Sequence, residues 1–213
     1  MTLSLADLPQ HARGPLAETR DGEAAQRRAA LRLVPRPEGL LQIHTAPFRG
    51  SVAAVFSQAL RSAGLGSRVL ISQFLKGGVE QGLEGSLWLC GRLQWLRPAT
   101  PHCLDRPASA LAEPGSPAAG SPAAGSPADA GDPLSAVRAV WAYSRDQLLS
   151  GAVDLLVLDE LGLAIELGYL AASEVTDTLA RRPQHLDVIL TGPAMPAPLV
   201  AMADQITQLR RAP

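Results

Sequence analysis

Leu40-Leu41-Gln42-Ile43-His44-Thr45-Ala46-Pro47-Phe48-Arg49-Gly50-Ser51-Val52-Ala53-Ala54-Val55-Phe56 is the stretch that decides the fold. Its first four residues are an apolar run of strand type. A turn containing Pro47 and Gly50 follows, and then an Ala-rich segment that reads as a helix running on to Arg61. Strand, tight loop and helix in this order form the layout of a phosphate-binding loop. The chemistry departs from the layout. Such a loop ends in Gly-Lys-Ser/Thr, and here the residues are Gly50-Ser51-Val52.

Working outward, apolar strand-like runs alternate with helical patterns. The run 68–75 reads as a second, buried strand, and Lys76-Gly77-Gly78 is a loop at its carboxyl end. Open α/β sheets bind ligands at such ends. Residues 84–92 read as a short helix or turn, with a strand at 93–96. Trp88 and Trp95 read as core or rim packing. Residues 134–150 carry an apolar stripe near helical spacing, with Asp132 or Ser135 as cap. Val153-Asp154-Leu155-Leu156-Val157-Leu158-Asp159-Glu160 reads as a buried strand that delivers two carboxylates to the sheet edge. There they can hold Mg²⁺ directly or through water, and an acidic pair in this place can also cap a helix. Ser173 reads as the N-cap of a helix ending near Arg181. A strand follows at 186–191, ending in the Thr191-Gly192 turn. A short helix at 197–203 and an edge strand at 205–209 complete the pattern. The fold class implied is α/β, a three-layer domain with a mainly parallel sheet flanked by helices.

Two segments stand apart. Residues 1–38 form a leader broken by prolines, with one short helical stretch around 23–33. Residues 107–133 repeat Ala-Gly-Ser-Pro, a composition that cannot bury a core and reads as a disordered insertion. The expected organisation is a leader over 1–38 and a single domain over 39–211, interrupted by that insertion.

Composition narrows the function classes. The 213 residues carry 19 basic and 20 acidic side chains, so no overall field draws nucleic acid or an anionic membrane. Aromatic residues make up 4%, too few for a stacking surface along single strands. No apolar run approaches the ~20 residues of a membrane span. Two cysteines in a chain of this length favour a reduced, cytoplasmic setting.

The order of motifs resembles the P-loop-type ATP:corrinoid adenosyltransferase family of cobalamin biosynthesis and salvage. That family opens with Thr-Gly-Asn-Gly-Lys-Gly-Lys-Thr-Thr, then Arg-Ala-x-Gly-x-Gly, then Gln-Phe-x-Lys-Gly. Without a gap, this chain has Thr45 to Ala53, then Arg61-Ser62-Ala63-Gly64-Leu65-Gly66, then Gln73-Phe74-Leu75-Lys76-Gly77. Asp159-Glu160-Leu161 and Thr191-Gly192 resemble later family motifs. The resemblance implies a P-loop NTPase-like fold, Mg-ATP and a corrinoid as ligands, and a homodimer. It points to Thr45, Arg49, Gly50, Ser51, Lys76 and Thr191 as ligand-site residues. Asp159 and Glu160 would be the Mg²⁺ ligands, and Glu160 the one candidate catalytic group.

The departures fall on the phosphate grip. Ala46 and Phe48 replace loop glycines, Pro47 removes a backbone N–H, Ser51 replaces the phosphate lysine, and Val52 brings no hydroxyl for Mg²⁺. Pro193 stands where the family has an arginine. These changes argue against ATP. Three readings follow: a non-catalytic corrinoid- or nucleotide-related binding protein, an active adenosyltransferase with a non-standard loop, or a structural or interaction protein with the leader helix and the Ala-Gly-Ser-Pro segment as tethers.

Overall fold

The computed structural model describes residues 38–49, 53–78, 82–111 and 132–210. The leader, Gly50 to Val52 and the bulk of the Ala-Gly-Ser-Pro segment lie outside these. The described residues hold seven strands: β1 (Leu41–Thr45), β2 (Val69–Gln73), β3 (Leu87–Leu89), β4 (Leu93–Leu96), β5 (Leu155–Asp159), β6 (Asp187–Gly192) and β7 (Gln205–Gln208). They also hold five α-helices: α1 (Ala53–Gly64), α2 (Pro133–Ser150), α3 (Leu161–Glu166), α4 (Ala172–Ala180) and α5 (Ala197–Met202). The strands form one sheet in the order β3-β4-β2-β5-β6-β1-β7. Every pairing is parallel except β3 with β4. This is the α/β sheet expected from the alternation of apolar runs.

The central strands are mainly apolar because both of their faces are covered. All five residues of β2 and of β5 are buried. On one face Val55, Ala59 and Ala63 of α1 pack on Val69, Ile71, Leu155, Val157 and Ile189. On the other, α2 to α5 pack on Leu41, Ile43, Leu70, Leu156, Leu158 and Leu190. Each buried Leu or Ile contributes roughly 1.5–3 kcal/mol. These two apolar layers fix which strand residues face which helices, and so which polar residues can meet at the strand ends.

Helix α2 has a complete set of end signals. The Asp132 carboxylate accepts from the N–H of Leu134 and of Ser135, Pro133 opens the first turn, and Gly151 closes the helix in the left-handed region at φ 65°. Asp132→Ala is expected to lower stability by about 1 kcal/mol, read as a shift of the urea midpoint with an unchanged slope.

Three local expectations need correction. Residues 87–89 form an antiparallel edge strand rather than a helix or turn, because β4 offers them a free edge. Helix α4 begins at Ala172, so Ser173 lies inside it and the cap position, Ala171, has no side-chain bond. Trp88 is 58% exposed, not packed in the core, while Trp95 stacks on Phe56 with ring centroids 5.1 Å apart. A 3-10 turn at Ala108–Leu111 occupies the start of the expected insertion, and residues 112–131 lie outside the described residues.

Candidate functional site

The site is a row of polar side chains across the carboxyl edge of the sheet. Gln73 pairs in register with Asp159, and His44 pairs with both Thr191 and Thr207. The Thr191 hydroxyl spans the remaining gap by donating to Asp159 Oδ1 at 2.7 Å. Residues paired in a parallel ladder point to the same side. Ile71, Val157 and Ile189, two residues earlier on their strands, belong to the α1 layer. The row therefore faces the side on which α1 and the loop preceding it lie.

The hydrogen bonds in this row have fixed directions. Gln73 Oε1 accepts from Trp95 Nε1 at 2.8 Å and from Arg97 Nε at 3.0 Å, both of which can only donate. The Gln73 amide nitrogen must then face the acid, and it donates to Asp159 Oδ2 at 2.7 Å. Thr191 Oγ1 accepts from the Glu160 N–H at 3.0 Å, so its own proton goes to Asp159. Asp159 thus receives one donor on each oxygen while only 2% exposed. Burial pushes its carboxyl above the usual carboxylate range, and the bonds from Gln73 and Thr191 oppose that rise.

Glu160 follows β5 in the left-handed region, at φ 57° and ψ 26°, an uncommon place for a residue with a side chain. It occupies the N-cap position of α3 but does not cap it. The carboxylate turns instead to Arg49, which donates from Nε to Oε1 at 2.8 Å and from Nη2 to Oε2 at 2.9 Å. This two-pronged pair is the geometry at which guanidinium and carboxylate match best. The Glu160 side chain is 4% exposed and that of Arg49 34%. The Glu160 bond raises the Arg49 pKa further above its ordinary value, against the opposing effect of burial. Gly162, on the first turn of α3, lets the chain pass against the Ala194 backbone. A Cβ there would run into the Ala194 carbonyl. This close approach joins the turn after β5 to the turn after β6.

Of the residues expected at the site, the structure brings together Arg49, Asp159, Glu160 and Thr191. Lys76 lies three residues beyond β2, half-buried, and its charge pulls the Asp159 pKa downward. Thr45 points its hydroxyl at the Pro193 carbonyl over a long 3.4 Å. Gly50 and Ser51 lie outside the described residues. Gln73, Trp95 and Arg97 were not among the expected site residues. The signal for them was a glutamine ending a buried strand, which demands polar partners.

Each of the four carboxylate oxygens of Asp159 and Glu160 accepts a hydrogen bond from a protein donor. Among the described residues, no group of three or more His, Cys, Asp or Glu side chains is placed to hold a metal ion. Asp159 and Glu160 are the residues that would hold a Mg²⁺ ion here, and at Glu160 the ion would share the carboxylate with Arg49.

His44 adds a titratable group to the row. Among the described residues its Nε2 is buried without a hydrogen-bond partner, and burial lowers its pKa from the ordinary 6.5. A histidine with a depressed folded pKa contributes stability that is present above its unfolded pKa and lost as pH falls through and below it. Lowering the pH from about 7 to about 5 is therefore expected to cost the wild type more stability than a His44→Gln variant, compared by urea unfolding.

Residues 37–212 match the family model described as ATP:corrinoid adenosyltransferase BtuR/CobO/CobP. A corrinoid adenosyltransferase of Escherichia coli is 26% identical over 172 residues, covering 81% of this chain and 76% of the relative. The corrinoid adenosyltransferase CobA of Salmonella typhimurium is 28% identical over 172 residues, with the same coverage. An uncharacterized protein of Nostoc sp. is 29% identical over 182 residues, and the chain spans only 44% of its length.

Proposed function

Because the chain belongs to the ATP:corrinoid adenosyltransferase BtuR/CobO/CobP family, we propose that it is a divergent member with a degraded phosphate loop. In this reading it no longer grips Mg-ATP and serves as a non-catalytic corrinoid- or nucleotide-related binding protein. The observation that carries the proposal is the closure of the acidic pair by its own chain. Arg49 occupies both oxygens of Glu160, and Gln73 and Thr191 occupy those of Asp159. The loop's composition acts in the same direction. Pro47 has no N–H to offer a phosphate, Ser51 no cation and Val52 no hydroxyl. Losing two or three charge-assisted bonds costs about 4–8 kcal/mol, a thousand-fold or more in affinity.

A second reading, an active adenosyltransferase with a non-standard loop, has its own support. The acidic pair, Lys76 and the Thr191-Gly192 turn stand at one sheet edge, where a nucleotide site of this fold belongs. One experiment separates the two. Purified protein is incubated with a chemically reduced corrinoid and Mg-ATP, and the visible spectrum is followed. The non-catalytic reading expects a spectral change from corrinoid binding alone, the same with and without ATP. Adenosyl-corrinoid formation that depends on ATP would establish the active reading instead.

The remaining parts of the proposal are a single domain over 39–211, pairing with a second copy of the chain, no nucleic-acid partner and a cytoplasmic setting. The free, exposed thiols of Cys90 and Cys103 accord with a reducing compartment. The near-zero net charge accords with the absence of a nucleic-acid partner. No helix among the described residues is long and apolar enough to cross a membrane.

A further inference from the structure

The opposite edge of the sheet holds a cavity that the acidic pair does not touch. It has a volume of about 500 Å³, within the usual range for small-molecule pockets. Its walls are the amino-terminal ends of β2 and β4, the end of β3 and the last turns of α2. Strand β5 spans five residues between the two edges, or roughly 17 Å, so a small ligand here cannot reach Asp159.

Its lining is specific in three ways. Trp88 stands on the edge strand with 58% of its surface exposed, on the same face as Gln94, its cross-strand partner. An indole left open beside a cavity is a stacking platform. The lining also contains two arginines and no aspartate or glutamate. Arg68 is already held by Asp154 at 2.9 Å, whereas Arg92 forms no ion pair or side-chain hydrogen bond among the described residues. The floor is fixed. The Tyr143 hydroxyl donates to Gln94 Oε1 at 2.8 Å, and Gln94 Nε2 donates to Ser86 at 3.0 Å. The carbonyls of Gln147 and Leu148 at the end of α2 accept from the N–H groups of Ala152 and Gly151.

We propose that this cavity is a second ligand site, taking a planar aromatic acid whose ring stacks on Trp88 and whose carboxylate or phosphate pairs with Arg92. A neutral aromatic would gain the stacking and forgo the ion pair. A simple anion would gain only the pairing. The site is independent of whether the carboxyl edge binds a corrinoid or a nucleotide.

The three tryptophans give a direct test. The Trp95 and Trp141 indole N–H groups are tied to Gln73 and Glu174, and that of Trp88 has no partner among the described residues. Indole N–H resonances of the full chain are recorded while naphthoate or adenosine monophosphate is added, with naphthamide and adenosine as neutral controls. The expected result is a saturable shift of the Trp88 resonance with one or both acids, and binding at least about tenfold weaker for the matching neutral compound. Arg92→Ala should reduce acid affinity by at least about tenfold, with Trp95 and Trp141 unmoved as evidence of an intact fold. Arg92→Lys should recover part of the loss. The proposal is overturned if neither acid shifts Trp88 at millimolar concentration, if the neutral compounds bind equally well, or if only Trp95 responds, which would place binding at the carboxyl edge.

Discussion

The double variant Ser51→Lys/Val52→Thr is expected to bind Mg-ATP about a hundred- to a thousand-fold more tightly than the wild type. The lysine restores a cation for the terminal phosphates and the threonine a hydroxyl for Mg²⁺. Two charge-assisted contacts at about 1.5–3 kcal/mol each account for a gain of that size. Full recovery is not expected, because Pro47 still withholds a backbone N–H from the loop. Calorimetric titration of both proteins measures the difference. Equal, weak binding by wild type and variant would mean that the obstacle lies elsewhere, in Pro47 or in the engagement of Glu160 by Arg49.

Arg49→Ala should destabilise the fold by about 2–4 kcal/mol. Removing one partner of a buried pair strands the other charge, and Glu160 is almost wholly buried. The partial exposure of Arg49 lets water reach its side of the pair, so the loss lies toward the lower end of what a fully buried pair would give. Adding Glu160→Gln to Arg49→Ala removes the stranded charge and should recover part of the loss. Urea unfolding of the two single variants and the double variant provides the cycle. A loss below about 0.5 kcal/mol for Arg49→Ala would mean that the pair is not maintained in solution.

The parts of the fold legible in the sequence were those with burial on both faces. The runs at 68–75, 153–159 and 186–191 are mostly apolar, with their polar residues near the strand ends, because helices cover both sides of the sheet there. Elements at the margins were not legible. Strand β3 is three residues long at an open edge, with Trp88 turned outward, so its apolar run Leu87-Trp88-Leu89 is too short to tell a strand from a helical turn. Helix α3 has six residues and starts at a left-handed glutamate, a conformation that no cap pattern signals. Helix α4 starts one residue before Ser173 with no polar cap, and its position is set by packing of Val175 and Leu179.

The site was legible in its ingredients and not in its wiring. Asp159 and Glu160 are conspicuous as acids at the end of an apolar strand. Their partners come from far along the chain. Arg49 and Glu160 are 111 residues apart, and Gln73 and Asp159 are 86 apart. Only the register of β2 against β5 brings the second pair together, and only the path of the loop after β1 brings the first. The family resemblance placed Arg49 among the ligand-site residues. The structure has that cation already spent on the acid.

The most direct test of this closed site is calorimetric titration of the full chain with ATP in the presence of Mg²⁺. With Glu160 held by Arg49 and no lysine in the loop, the expected result is binding no tighter than a dissociation constant of about 1 mM. Saturable binding at about 1 µM or tighter would contradict it, and would mean that the loop and the acidic pair reorganise around the nucleotide.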